Sequence, residues 1–258
     1  MTSATPGSAE IRRQTDKYVN DALTLIQASL GMAKPSTAFA EIYHVSLSTD
    51  VVLAAVDTPR LRPRLASARS IVLRLPLLLA AGQQPAAMVE LRRFVELILW
   101  TIYFTDHLVE WRAFEGSAGA GFSTDSRKPI TYAAHRELGH YAEYARELMA
   151  GETSGLGVKS VDTLRQASYR LNAAVHAGEL ASLSQRSPPF DDVSEQSLRK
   201  AAKLQRQVFG NCCLLLAAYR TARFNSLTAA GRAHFDWVVG ADIRKQVRKG
   251  PFGLPKTP

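Results

Sequence analysis

Between Ser168 and Glu179 the chain reads Ser-Tyr-Arg-Leu-Asn-Ala-Ala-Val-His-Ala-Gly-Glu. On a helix Ser168, Asn172 and His176 recur every four residues and Glu179 follows three later, so the four share one face. An imidazole titrates near neutrality, so His176 suits general acid or base work. Arg170 lies six residues before His176, roughly 120° away around a helix. Its planar fork can give two hydrogen bonds to an anion. Ala173, Ala174 and Ala177 flank the stripe and are small enough to let a second helix or a ligand come close. The plainer alternative is a buried imidazole, satisfied by Asn172 or a carbonyl at a helix contact.

A second polar seam joins Arg92, Glu96, Tyr103, His107 and Glu110, with Arg93, Asp106 and Trp111 beside it. Such a seam is either a set of i,i+4 ion pairs or part of a pocket. In the second case Arg93 and Glu96 line the same pocket as His176. His135 and His140 are five apart, which is not the i,i+4 placement of a zinc helix, so no metal and no cofactor is expected. A third feature is basic. Arg199, Lys203 and Arg206 share a face of a late helix, and Arg220 and Arg223 rejoin it further along. With Lys245, Arg248 and Lys249 they could follow a phosphate backbone, or simply form a solvated face.

Arg170 and His176 form R-x5-H, and Tyr169 to Gly178 resembles the motif helix of the HEPN superfamily, whose members carry R-x4–6-H. Leu91-Arg-Arg-Phe-Val-Glu96 is similar to the Arg and Glu stretch on an early helix of those bundles. The likeness spans about residues 88–187. One departure is Leu171, where active members often carry a polar residue; here Asn172 follows one place later. The resemblance implies an antiparallel helical bundle with extra helices at both ends and a homodimer whose motif helices meet at the two-fold axis. It also implies a metal-independent endoribonuclease, or an RNA-binding effector, of the toxin or phage-defence type, with an antitoxin or other partner protein. In that chemistry His176 is general base or acid at a ribose 2′-hydroxyl and Arg170 stabilises the phosphate. Asn172 orients the imidazole or the phosphate. Glu179, Tyr169, Arg93 and Glu96 support them. The competing class is a non-catalytic dimeric scaffold that binds nucleic acid or an acidic partner through its basic C-terminal part.

The elements that must position these residues are helices. Ala, Leu, Arg, Glu and Gln dominate the long segments and lose little rotamer freedom in a helix. Apolar spacings of three and four predict helices over about 9–31, 37–56, 63–81, 85–114, 131–149, 160–184, 194–227 and 228–238. Pro76 threatens a kink in the third, and Gly82-Gln-Gln-Pro85 breaks the chain. Residues 116–129 form a Gly/Ser-rich loop. Asp192 and Glu195 make a capping box before the long late helix. The expectation is one all-α domain over 1–258, with a disordered leader (1–8), a motif-bearing bundle core (85–187) and a basic helical region (194–258).

Charge is uneven. Residues 199–258 hold twelve Lys or Arg against two Asp or Glu, leaving 20 against 21 in the other 198 residues. The whole excess of +9 therefore sits in the last quarter, a field that attracts polyanions such as RNA. The start of the chain has neither a basic n-region nor an apolar h-region, and no apolar run reaches the ~18 residues of a membrane span. A cytoplasmic protein without membrane contact is expected. Cys212 and Cys213 are adjacent, which suits two small core hydrophobes better than a disulfide.

Overall fold

The structure, a computed structural model, describes residues 37–109, 138–150, 155–175 and 195–240 together with Thr24 and Ile243. They form helices α1 (Thr37–Ala55), α2 (Arg62–Ala80), α3 (Gln84–Asp106), α4 (Leu138–Ala150), α5 (Leu156–Val175), α6 (Glu195–Tyr219), α7 (Thr221–Asn225) and α8 (Ala229–Val239). Among the described residues there is no strand. The all-α expectation is met. The expected first helix apart from Thr24, the 116–129 loop and the leader lie outside the described residues.

Each helix follows from local chemistry. Pro63 and Pro85 sit in the first turns of α2 and α3, where a missing N–H costs nothing. α2 runs on through Pro76, so the proline does not end it. Gly82 does, with φ of 67° that only glycine adopts cheaply. Thr228 caps α8: its Oγ1 accepts from the N–H of Gly231 at 3.1 Å.

Three boundaries differ from expectation: α5 begins at Leu156 rather than 160, and two helices break early. The helix predicted over 85–114 breaks at His107. There the imidazole stacks on Tyr103, with ring centroids 4.0 Å apart, and its Nδ1 lies 2.8 Å from the Tyr103 carbonyl oxygen. The same carbonyl accepts from the backbone N–H of His107 at 3.1 Å, so His107 holds the end of α3 by backbone and side chain together and acts as its C-cap. The helix predicted over 194–227 breaks at Arg220, beside Thr221, whose hydroxyl donates to the Ala218 carbonyl at 2.7 Å.

The packing centres on α6. From Val208 to Ala218 every one of its residues is buried, apolar nearly all round, as a helix enclosed by others must be. α1, α3, α5 and α8 all pack on it. Consecutive helices are antiparallel where loops are short. Arg165 of α5 pairs with Glu143 of α4, and Asp162 pairs with Arg146, so partners run in opposite order. α3 and α6 run parallel: Gln84 bonds Ser197, Phe94 meets Phe209 at 4.5 Å between centroids, and Asp106 bonds Tyr219. α1 also runs parallel to α6, from Thr37 with Glu195 to Ser46 with Gln205. Cys212 and Cys213 are free and buried in this core, as the sequence suggests.

Candidate functional site

α5 carries the residues with the sharpest chemical signature. Val161, Leu164, Ala167 and Leu171 recur at three and four and are buried against α3, α4 and α6. Ser168 shares that face and is 3% exposed. Tyr169, 69% exposed, and Arg170 lie toward solvent, while Asn172 is half-buried between the two sides. His176 and Glu179 lie outside the described residues.

Ser168, Tyr169 and Asn172 line one concavity of about 370 Å³ with Arg165, Arg92 of α3, and Leu138 and Gly139 of α4. It joins part of the α5 stripe to the polar seam of α3. Arg170 is not among its lining residues. Arg93 and Glu96 line a neighbouring depression of about 410 Å³ with Val89, Leu97 and Trp100. Arg92 is the wall common to both. Its Nε donates to Glu96 Oε1 at 3.0 Å, the i,i+4 pair that the spacing predicts.

The electrostatics of the concavity are one-sided. Arg92 and Arg165 both border it, and among the described residues no carboxylate does. Their counter-charges stand outside: Glu96 beside Arg92, and Glu143 at 3.5 Å from Arg165. The Arg165 pair is half-exposed and contributes little to stability, about 0–1 kcal/mol. Ser168 Oγ and Asn172 Oδ1 are buried atoms without a hydrogen-bond partner. Leaving such an atom unmatched costs about 1–3 kcal/mol.

The basic stripe is less free than its sequence suggests. Arg199 pairs with Glu195 at 2.9 Å and Arg206 with Glu41 at 3.3 Å. Arg206 also lies over the ring of Trp237 from α8, 4.3 Å from its centroid. Lys203 and Arg223 are exposed, and Arg220 is half-buried at the α6–α7 break. Lys245, Arg248 and Lys249 lie outside the described residues.

One cluster was only partly visible in the sequence. Asp106 accepts hydrogen bonds from Tyr144 (2.7 Å) and Tyr219 (2.8 Å), and Tyr103, His107 and Tyr144 pack edge-to-face and stacked around it. Burial and the Asp106 carboxylate push both phenols above their ordinary range. Asp106 and His107 stand in the α3 seam, but nothing local marks Tyr144 or Tyr219 as their partners. His140 also meets Tyr103 edge-on, at 5.4 Å.

Among the described residues no helix is long and apolar enough to cross a membrane. No family model, curated protein or solved structure matches this chain.

Proposed function

We propose that this chain is a HEPN-type helical bundle acting on RNA, as a metal-independent endoribonuclease or RNA-binding effector of the toxin or phage-defence type. In this reading it is a cytoplasmic homodimer held in check by an antitoxin or similar partner protein. His176 takes the 2′-hydroxyl proton or delivers one to the departing 5′-oxygen. The 2′-oxygen bonds to phosphorus as the P–O5′ bond breaks, leaving a 2′,3′-cyclic phosphate and a 5′-hydroxyl. Arg170 stabilises the charge on the pentavalent phosphate, and Asn172 orients the reacting groups.

The observation that carries the reading is the concavity itself, where Ser168 and Asn172 of the α5 stripe meet two guanidiniums, Arg92 and Arg165. Arg170 is exposed on α5 outside that lining. Such a surface attracts a phosphodiester chain. The test is cleavage of total RNA by the purified chain in EDTA, beside a His176→Ala variant matched to it by circular dichroism. The expected result is cyclic-phosphate ends from the parent and none from the variant. If both cut alike, or neither cuts, the ribonuclease reading is lost.

A second reading is a dimeric scaffold that binds nucleic acid or an acidic partner through its basic C-terminal region. Exposed Lys203 and Arg223 favour it. Charge reversal of these two residues would then abolish binding without touching any cleavage.

A further inference from the structure

We infer that the concavity between α3, α4 and α5 is a nucleotide subsite, holding one nucleotide of an RNA strand by its phosphate and by a hydrogen-bonding edge of its base or ribose. This deepens the RNA reading above and rests on it.

The ligand class follows from what the concavity asks for. Arg92 and Arg165 are the charged residues among its described lining, so it favours an anion. An anion alone does not complete it. Ser168, 3% exposed, has an Oγ without a partner, and Asn172 has a buried Oδ1 without a partner. A hydroxyl turns about one bond. A carboxamide swaps its oxygen and nitrogen by a half-turn about its terminal torsion. Asn172 is half-buried on the wall, so either edge can be offered to an occupant. A phosphodiester group has only acceptors and by itself leaves the amide oxygen unmatched. A nucleotide supplies both halves: acceptors for the arginines, and N–H or O–H donors for the amide oxygen.

Size and shape agree. A volume of about 370 Å³ falls within the range of small-molecule sites, roughly 300–1,000 Å³. Tyr169 stands on the wall with most of its ring in solvent, a platform on which a base can stack. The two unmatched polar atoms cost stability that a ligand carrying donors would recover. Asn172 is then a recognition residue as well as an orienting one.

The test is calorimetric titration of the full chain with each nucleoside 5′-monophosphate and, separately, with inorganic phosphate. At least one nucleotide should bind ~10-fold or more tightly than phosphate, equivalent to about 1.4 kcal/mol. Asn172→Leu and Tyr169→Ala should each remove that advantage, bringing the nucleotide down to the affinity of phosphate. Phosphate binding as tightly as every nucleotide overturns the subsite in favour of a bare anion site. No binding at millimolar concentration overturns it outright, and so does nucleotide binding that neither variant weakens. Ser168→Ala supplies a check independent of binding: its melting temperature should match or exceed the parent's, because an unmatched buried hydroxyl is removed. A clear drop would show the hydroxyl serving the fold and would count against the inference. Nucleotide binding without RNA cleavage sinks the ribonuclease reading alone; cleavage without nucleotide binding sinks the subsite alone.

Discussion

The phenol of Tyr219, the last residue of α6, donates to the carboxylate of Asp106, the last residue of α3, at 2.8 Å. Tyr144 of α4 donates to the other carboxylate oxygen at 2.7 Å. A carboxylate at a helix C-terminus is poorly placed against the helix dipole, and the two phenols offset this. Tyr219→Phe should cost about 1–2 kcal/mol at neutral pH, read by urea unfolding. Both phenols are raised by burial first and by Asp106 second. A raised acid keeps its full contribution below the unfolded pKa and loses it as pH climbs beyond. The parent should therefore lose stability from about pH 10 upward. Tyr144→Phe with Tyr219→Phe should flatten that alkaline decline.

Burial pushes the Cys213 thiol up to about 12, and Cys212 is pushed well above its ordinary range by burial and by its neighbour. Thiolate is the reactive form, so neither should react with a disulfide reagent in the native state at pH 8. Two thiols should become titratable together on unfolding. Rapid labelling of the folded chain would contradict the buried placement in α6.

Gly210 of α6 faces the backbone of α8. A Cβ built on it would lie 3.0 Å from the Val238 carbonyl oxygen, and backbone cannot move aside as a flexible side-chain tip can. Gly210→Ala should destabilise by about 1–3 kcal/mol despite the better helix propensity of alanine. Thermal unfolding measures it, with Gly139→Ala as control, since nothing lies near that position.

Glu96 neutralises Arg92 through one Nε contact at 3.0 Å, both side chains about a quarter exposed. Glu96→Gln should tighten phosphate and nucleotide binding a few-fold and steepen its fall between ~50 and ~200 mM salt. An unchanged salt dependence would mean that Arg92 does not meet the bound anion.

The helices were readable from the sequence wherever apolar spacing governs. Residues 37–56, 63–81 and 228–238 were expected as helices, and α1, α2 and α8 occupy them within a residue or so. The Arg92–Glu96 pair was readable because i,i+4 neighbours need no tertiary knowledge. The stop at His107 was not: periodicity continues into Leu108, and the cap is a ring stack and hydrogen bonds onto Tyr103 that apolar spacing does not show. Spacing also shows which face a residue occupies but not what meets it. Arg206 on Trp237, and Tyr219 on Asp106 across 113 residues of sequence, are of that kind. So is the concavity, whose walls come from three helices. Its Ser168 and Asn172 were found from the α5 stripe, Arg92 was found in a separate seam, and Arg165 was not singled out at all.

The encirclement of α6 has a consequence for motion. α5 cannot lift away without baring a helix that is apolar on almost every side, so its slowest amide hydrogens should exchange at the rate of the α6 core. Recognition by the α5 wall must then proceed by side-chain rotation on a fixed backbone. Rearrangement of the ligand is the remaining degree of freedom, which favours a single strand that can bend to fit over a rigid duplex.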